Sequence, residues 1–573
     1  MRHSRRRTVF AASLACVAMV AVACGSSAKT SGNTGGRTSN QAGPGVKYDK
    51  NAKMSLAIDQ EPTNFSCNSA DGNEQACINI VDRIWPSVFH LTPDFTTQLD
   101  TTLMQSATEV SQSPQVIDYK INPKAVWADG TPITYQDFVY KWQAQSGDPQ
   151  YKDADGKAFA PAATGGYSQI ASVVENNNDP YDVKVTFKTI YADWQGLFGA
   201  DDPLLPAHIA QKVGYNDGFT DPVKDLVSGG PFMVQNYSKG QSITLVRNPK
   251  YWGAPANLSS VTFRFLTDTN QIVPALQNGE INGGIPTPQL DLVNSLKSLS
   301  GVKLDQRDGL QFEHLDFNQT NPFLKDPALR HAIMLSVDRK ALIAQTVGQY
   351  DPKVKVLNDR MFVTNQPGYQ DNSGGSYNGA DVSQAKQILM QAGYAYDGSG
   401  NLTKNGQPVT MRITATQGNA LRQDEEQFVI SSLGKIGIRA TEMDTPKLAD
   451  TLTKGDFDMI VFAWVLTPFP TQNDALYQTA NPQTGTGSSN YFSYSDPKVD
   501  QLVTQVDGIQ DQAQRVKLYN QMDGELWASY FDLPLFQRAT LTAYQDKYLN
   551  IYTNSTAEGT TYNMEEWGVK AAA

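Results

Sequence analysis

Histidine is scarce in this 573-residue chain, and the catalytic motifs that depend on it are missing. The five histidines show no HExxH or similar metal-binding spacing. The sequence also has neither a Walker A loop for nucleotide phosphates nor the GxSxG turn of serine hydrolases. Ser383 and Lys386 have SxxK spacing, but no KTG motif accompanies them, and helix capping explains Ser383 more simply. These gaps disfavour a secreted hydrolase and favour binding without turnover, with no metal site and no cofactor.

Positive charge is also in short supply. The net charge is −11, and no long Lys/Arg run occurs outside the first seven residues. Both observations argue against a nucleic-acid partner. The chain is 40% hydrophobic and too long for one core, so two or more lobes are expected.

The N-terminus has the pattern of an export signal. A basic stretch, MRHSRRR, precedes the apolar run TVFAASLACVAMVAVA, which is short for a membrane span. The sequence AVAC, ending at Cys24, resembles a bacterial lipobox, in which the cysteine becomes the lipidated N-terminus after cleavage. The alternative is an ordinary cysteine with cleavage nearby. We expect a signal peptide over 1–23, lipidation of Cys24, and a flexible Gly/Ser/Thr-rich tether over 24–47.

Two cysteines remain in the mature body, Cys67 and Cys77. Outside the cytoplasm, a pair ten residues apart favours a small-loop disulfide over two buried free thiols. Two cysteines alone do not make a zinc site.

The later part of the chain alternates strand and helix patterns. We predict strands in VTMRITA, GIRATEM and DMIVFAWVL, with helices in ALRQDEEQFVISSLGKI and KLADTLTKG between them. This order implies parallel strands covered by helices, with ligands bound beyond the strands' carboxyl ends. The uncharged loop in FAWVLTPFPTQN follows the last of these strands and is expected to form a cleft wall. The acidic run Asp424–Glu426 lies among polar neighbours on a predicted helix and is expected to face solvent.

Several segments in order resemble the extracellular solute-binding proteins of family 5, the peptide/nickel class that serves ABC importers. The match covers Tyr48 to Gly568. The matching segments are YKINPKAVWADGTPITYQDFVYKW, SGGPFMVQNYSKGQSITLVRNPKYW, ALQNGEIN, LDFNQTNPFLKDPALRHAIMLSVDRKALI and FDMIVFAWVLTPFPTQNDALY followed by SNYFSYSDPKVDQLV.

The resemblance implies an α/β, bilobed periplasmic-binding-protein type II fold, the Venus flytrap. Lobe I would comprise 48–308 and 536–573, with an extra subdomain inserted at about 91–200. Lobe II would comprise 309–535. The strands that cross between the lobes are expected near 307–318 and 532–544.

The resemblance also implies where ligand is held. The ligand-binding residues of the second lobe would be Trp464, Val465, Leu466, Thr467, Phe469 and Asn490, and those of the first lobe Glu61, Thr63 and Asn64. In many peptide-binding members an aspartate at the position of Thr467 pairs with the peptide's free α-ammonium. A hydroxyl cannot supply that charge-assisted bond. Glu61, Asp71 or Asp474 are candidate replacements, and Trp464, Phe469 and Tyr491 can instead stack on a sugar or aromatic ligand.

The function implied is that of a substrate-binding lipoprotein feeding oligopeptides or peptide-like solutes to an ABC permease and its ATPase. Alternatives on the same scaffold are an oligosaccharide, metal chelate, haem or siderophore, or a surface sensor without transport. We expect a monomer that is not an enzyme and binds no nucleic acid. Its lipid would hold it at the outer face of the cytoplasmic membrane, on the periplasmic side or the cell surface.

Overall fold

The computed structural model describes residues 40–199, 202–481, 487 and 489–572. The predicted signal peptide, Cys24 and the tether as far as residue 39 lie outside the described residues. Residues 40–47, assigned to the tether by composition, contact the C-terminal segment instead. The Ala42 amide donates to Asn550 Oδ1 at 3.0 Å, and the Ala571 amide donates to the Lys47 carbonyl at 2.9 Å. These two hydrogen bonds join the stretch, which has little apolar surface of its own, to the C-terminal segment.

The first half of the chain is rich in strands. Its elements are β1 (Lys53–Ile58), α1 (Gln75–Val81), β2 (Phe89–Leu91), β3 (Thr97–Leu99), β4 (Met104–Gln112), β5 (Gln115–Ile121), α2 (Tyr135–Gln145), β6 (Ile170–Asn176), β7 (Asp179–Phe187), α3 (Ala207–Val213), α4 (Pro222–Asp225), β8 (Phe232–Ser238), β9 (Ser242–Arg247), β10 (Ser260–Phe265), α5 (Ile272–Gln277), β11 (Gly283–Ile285) and α6 (Leu290–Ser298).

The second half alternates helices with strands. Its elements are β12 (Val302–Phe317), α7 (Pro327–Ser336), α8 (Arg339–Gln345), α9 (Val382–Gln391), β13 (Tyr394–Tyr396), β14 (Leu402–Lys404), β15 (Gln407–Pro408), β16 (Thr410–Thr414), α10 (Ala420–Lys435), β17 (Arg439–Glu442), α11 (Leu448–Lys454), β18 (Met459–Val465), α12 (Pro497–Asp507), α13 (Gln512–Ala528), β19 (Asp532–Gln545), β20 (Tyr548–Leu549) and β21 (Gly568–Val569).

One ten-stranded sheet runs through the molecule in the order β17-β16-β18-β12-β19-β11-β1-β10-β9-β8. Its two central strands, β12 and β19, are long and antiparallel, and they overlap the segments expected to cross between lobes. Their register shifts between Asp308 and Phe312 and again between Glu313 and His314. A separate four-stranded sheet, β4-β5-β7-β6, forms the middle of the region expected to be an inserted subdomain.

The buried apolar side chains fall into groups that separate along the chain at β12 and β19. Two groups draw on β1 to α6 and on the chain from Leu541 onwards. Two others draw on residues from Leu310 to Phe536. We call the part built on the first pair of groups lobe I and the part built on the second pair lobe II. The expected boundaries at 308/309 and 535/536 lie within the two central strands.

The α/β unit of lobe II is formed as the sequence predicts. Strand β16 pairs in parallel with both β17 and β18, while α10 and α11 provide the connections. Asn419 begins α10 by accepting a hydrogen bond from the Arg422 amide at 3.2 Å, which satisfies one free donor of the first turn. This arrangement puts the carboxyl ends of β16 and β18 at the same edge of the sheet.

The prediction for the acidic run Asp424–Glu426 is wrong. Asp424 is exposed, but Glu425 and Glu426 have no exposed surface. Glu425 faces the junction of the lobes, where Glu313, Arg422 and Arg538 lie near it. Helix α10 is therefore covered on more than one side, and polar neighbours in sequence did not reveal this. No helix within the described residues is long and apolar enough to cross a membrane.

Candidate ligand-binding cleft

A cavity of about 280 Å³ lies between the lobes. Lobe I lines it with the residues after β1, those preceding and within α1, and the loop after β11. Lobe II lines it with α11 and with the end of β18, while the start of α10, β12 and β19 form the floor. Strands β1, β11 and β18 thus present their carboxyl ends to it, the usual position of ligands in α/β sheets, and the helix that follows β16 begins beside it.

Direct contacts hold the lobes together around the cavity. Ser489 of lobe II donates to the Ala162 carbonyl of lobe I at 2.7 Å, and Asn419 donates to Thr287 at 3.3 Å. Gln472 donates to the Gly196 carbonyl at 2.7 Å. These bonds connect both sides of the cleft, so the structure is a closed arrangement of the lobes.

Trp464 is the main aromatic surface of the cleft. It stacks on His314 beneath it, at 5.7 Å between centroids and 11° between planes. It also stacks on Tyr491, at 6.2 Å and 21°. Burial lowers the pKa of His314 to about 4, so the ring that supports Trp464 is a neutral imidazole at pH 7. The indole is therefore held in place for contact with a ligand.

Glu74 joins the two lobes at the edge of the cavity. Its carboxylate accepts hydrogen bonds from the Thr63 amide at 2.8 Å, from the Thr63 hydroxyl at 2.9 Å, and from the Ala449 amide. Ala449 lies in the first turn of α11, which has no side-chain cap of its own. Burial raises the pKa of Glu74 to about 7, and the hydrogen bonds only partly offset this effect. Glu74 of lobe I therefore caps a helix of lobe II.

We expect the Glu74→Gln variant to lose less stability than the wild-type protein as the pH rises. Between the ordinary pKa of 4.5 and about 7, the folded state holds this proton more tightly than the unfolded chain. The contribution of Glu74 to the free energy of unfolding therefore falls as the pH rises through that window. Urea unfolding at pH 5, 6, 7 and 8 measures this pH dependence of the free energy of unfolding, with exposed Glu175→Gln as the control. Equal pH slopes in all three proteins would contradict the prediction.

Two arginines form the charged floor of the cleft. Arg422, in the first turn of α10, and Arg538, on β19, both line the cavity. Both are paired with the buried carboxylate of Glu313 on β12, at 3.4 and 3.0 Å. The floor thus carries more positive than negative charge.

The expected ligand residues of lobe II divide into two groups. Trp464 and Val465 line the cavity. The Thr467 hydroxyl accepts from the Phe469 amide at 3.1 Å and lies at 3.0 Å from the Phe469 carbonyl, closing a turn outside the lining. Phe469 packs against Leu91, and Leu466 is buried in the core. The apolar loop therefore docks on lobe I and does not face the cavity along its whole length.

The side chain of Asn490 also bonds to the protein itself and does not line the cavity. Its side-chain amide donates to the Gln478 carbonyl at 2.8 Å and to the Tyr494 carbonyl at 2.9 Å. These bonds fix the segment that carries Ser489 and Tyr491, which do line the cavity.

The expected ligand residues of lobe I lie next to the cavity lining, and their side chains form hydrogen bonds with other groups of the protein. Glu61 accepts from the Tyr237 hydroxyl at 2.7 Å and from the Gly240 amide at 2.8 Å. Thr63 is exposed and bonded to Glu74, and Asn64 caps the turn at Ser66 at 2.9 Å. Glu74, which immediately precedes α1, lines the cavity.

The other carboxylates considered for an ammonium group lie elsewhere. Asp474 is fully buried beside Asp193 and Asp507, and burial and these neighbours raise its pKa well above the usual range. Asp71 lies close enough to Glu74 to raise that residue's pKa.

The sulfur atoms of Cys67 and Cys77 are bonded, with their Cα atoms 5.5 Å apart, which ties the segment after β1 to α1.

Two groups of described residues bring three potential metal ligands together. One contains Asp82, His90 and Glu558, and the other His314, Asp316 and Asp532. A guanidinium already occupies each: Arg83 lies 2.9 Å from Glu558, and Arg360 bonds Asp532. We interpret both as ion-pair networks, since a buried cation would repel a metal ion.

Sequence reasoning missed Glu74, Arg422 and Arg538. A signal existed for Arg422, because it lies in the helix that follows the carboxyl end of β16, much as Trp464 lies near the carboxyl end of β18. Glu74 precedes a short helix without a periodic pattern, and Arg538 lies within a strand, so neither stood out.

Comparison with known proteins decides the family. The model of the bacterial extracellular solute-binding proteins, family 5 Middle, matches residues 98–487. The chain belongs to family 5. The family 5 oligopeptide-binding protein OppA of Mycobacterium tuberculosis (strain H37Rv) is 33% identical over 529 residues, covering 91% of this chain and 85% of the relative. AppA of Bacillus subtilis, also an oligopeptide-binding protein, is 27% identical over 523 residues, covering 88% and 90%.

Solved structures confirm the bilobed α/β fold of family 5. The periplasmic EDTA-binding protein EppA superposes with a TM-score of 0.80 at 29% identity, covering 93% of this chain and 98% of EppA. Bacillus subtilis AppA in complex with a nonapeptide superposes with a TM-score of 0.79 at 22% identity, covering 92% and 100%. Relatives in family 5 are substrate-binding proteins and not enzymes.

Proposed function

We propose that this family 5 chain is the substrate-binding lipoprotein of an ABC importer and captures oligopeptides or peptide-like solutes between its lobes. Lobe I (48–308 and 536–573) and lobe II (309–535) close on the solute, and the closed form delivers it to a permease driven by an ATPase. The chain acts as a monomer and catalyses no reaction. Lipid on Cys24 holds it at the outer face of the cytoplasmic membrane.

The observation that carries this proposal is the cavity whose lining comes from both lobes. A solute that contacts Trp464 on one side and the α1 region on the other interacts fully only when the lobes are closed. Ligand therefore shifts the population towards the closed form. The oligopeptide-binding relatives OppA and AppA support peptides as the solute class.

A second candidate solute is a small anionic chelate. The EDTA-binding protein EppA is 29% identical with a TM-score of 0.80. The cavity of about 280 Å³ is slightly smaller than most pockets for drug-sized ligands, which favours a compact solute. The arginines on its floor also suit an anionic solute.

Thermal unfolding of the purified mature protein tests the proposal. A ligand that binds only the folded state raises the unfolding midpoint in proportion to the logarithm of its concentration. We expect a rise with a tryptic digest of casein and no change with malto-oligosaccharides. A rise with Fe(III)–EDTA alone would show that the solute is a chelate and not a peptide. A rise with malto-oligosaccharides alone would contradict both candidates.

Replacing Cys24 by alanine should release the protein from the membrane. Without the thiol no lipid can be attached, and one export signal alone does not anchor a cleaved protein. Fractionation of cells that express the two forms, together with labelling by a palmitate analogue, measures the change. Membrane retention and unchanged labelling of the Cys24→Ala form would contradict lipidation at this residue.

A further inference from the structure

The lobes also meet outside the cavity, where residues that flank β6 and β7 of lobe I contact α12, α13 and the loop after β18 in lobe II. We call this contact the latch. Lobe I provides Gln169, Tyr191 and Asp193, and lobe II provides Thr471, Asp507 and Arg515. None of these six is among the described residues that line the cavity. The latch therefore joins the lobes at a distance from the solute.

Asp193 is the centre of the latch. Its Oδ2 atom accepts hydrogen bonds from the Thr471 amide at 3.2 Å and from the Thr471 hydroxyl at 2.8 Å. The same carboxylate forms an ion pair with Arg515 of α13. The side chains of Asp193 and Arg515 are only 8% and 12% exposed. In the closed arrangement this ion pair is therefore largely withdrawn from water.

The backbones of the two lobes also approach closely at this contact. A methyl group at Gly165 would lie 3.2 Å from the Thr471 carbonyl oxygen. One at Gly196 would lie only 2.6 Å from Gln472 Nε2. The surfaces thus fit together in one arrangement, and the charged groups of the latch meet only when the lobes reach it.

Carboxyl groups outnumber the cation around the latch. Gln169 of lobe I donates to Asp507 Oδ2 at 2.6 Å, at the end of α12. Asp193 and Asp474 lie beside Asp507, and the charge of Arg515 acts on all three. Burial raises the pKa of Asp507 to about 7, and the charge of Asp193 adds to this effect. Bringing the Asp507 carboxyl group from water into this contact costs free energy, whether it stays charged or takes up a proton.

We propose that the latch sets the balance between open and closed lobes, with Arg515 favouring the closed form and the excess of carboxyl groups opposing it. The inference rests on the proposed function, since it concerns lobes that close on a solute. A buried ion pair contributes little net free energy, whereas removal of one partner leaves the other charge uncompensated. Because the solute binds the closed form, its apparent affinity follows the closed fraction. The latch residues are thus positioning residues that act through the arrangement of the lobes.

Two substitutions at the latch should shift affinity in opposite directions. Arg515→Gln leaves Asp193 without its cation and should weaken solute binding by about tenfold or more. Arg515→Lys keeps the charge and should lose less. Asp507→Asn keeps an oxygen that accepts from Gln169 but removes the carboxyl group, so it should strengthen binding by about threefold or more.

Two measurements on the mature protein test these shifts. Small-angle X-ray scattering of dialysed protein reports the balance of open and closed forms without solute, and calorimetric titration with a tryptic digest of casein reports affinity. We expect a larger radius of gyration in Arg515→Gln than in Asp507→Asn. The matched control is Arg412→Gln, since Arg412 pairs with Asp456 and Asp458 within lobe II. It should leave both quantities as in the wild type.

The outcomes separate this inference from the proposed function. Equal radii of gyration in Arg515→Gln and Asp507→Asn overturn the inference, whatever the digest does. If the digest binds and either affinity shift is missing, the inference falls while peptide binding stands. Different radii without binding of the digest by any form support the latch and overturn the peptide assignment. The gain expected for Asp507→Asn cannot result from misfolding, so the test does not depend on the Arg515→Gln variant folding well.

Discussion

Replacing Trp464 by alanine is expected to weaken solute binding by about 2–4 kcal/mol, which is roughly two orders of magnitude in Kd. The indole lines the cavity and is fixed by stacking on neutral His314 and on Tyr491. Its removal takes away the largest apolar surface offered to the solute and leaves space for water. Trp464→Phe keeps an aromatic face and should lose less.

Calorimetric titration with a peptide from the captured pool measures this loss. The control is Trp252→Ala in lobe I, a residue outside the cavity lining that donates to the Thr102 carbonyl at 2.8 Å. It should lower stability and leave affinity unchanged. An affinity of Trp464→Ala within about twofold of wild type would show that solute binds elsewhere.

Replacing Arg360 by methionine is expected to lower the free energy of unfolding by about 3–5 kcal/mol. Arg360 has no exposed surface, and its guanidinium lies 2.9 Å from Asp523 and bonds Asp532. It also lies 4.3 Å from the ring of Trp527. Methionine fills much of the volume but leaves two buried carboxylates without their cation.

The cost of this substitution should depend on pH. Burial already raises the pKa of Asp532 to about 6, with Arg360 opposing the shift. Without Arg360 the folded state holds this proton more tightly, while the unfolded chain keeps the ordinary pKa of 3.8. Stability therefore falls more steeply as pH rises from 4 to 8. Urea unfolding across this pH range measures the loss in the free energy of unfolding, with exposed Arg439→Met as the control. A loss below about 1 kcal/mol for Arg360→Met would contradict this prediction.

The α/β unit of lobe II was predictable because its signals are local. Strands β16 and β18 are mostly apolar, and the alternation of strand and helix segments from β16 through α10, β17 and α11 to β18 implies parallel pairing. The order of strands and helices was enough to place the end of β18 at the cleft, because ligands of parallel sheets bind beyond the carboxyl ends of the strands.

The parts that could not be predicted depend on contacts distant in sequence. Glu74 becomes a cleft residue only because α11 is brought to it, and Glu425 is buried where the lobes meet, near Glu313 of β12 and Arg538 of β19. Thr467 is the opposite case, a residue that was expected to bind ligand and lies outside the cavity lining. Its position in the family pattern pointed to ligand, but its hydroxyl bonds Phe469 and holds a turn that docks on lobe I.

The loop FAWVLTPFPTQN thus has two roles that its composition did not distinguish. Trp464 and Val465 face the cavity, while Phe469 packs on Leu91 of lobe I. Its apolar character therefore serves closure of the lobes as well as contact with the solute.

Native mass spectrometry of the purified mature protein, followed by identification of the released ligand under denaturing conditions, tests the central claim most directly. We expect a population of mixed peptides bound one per chain to the wild-type protein, and their loss in Trp464→Ala. A single sugar bound to both proteins in equal amount would contradict it.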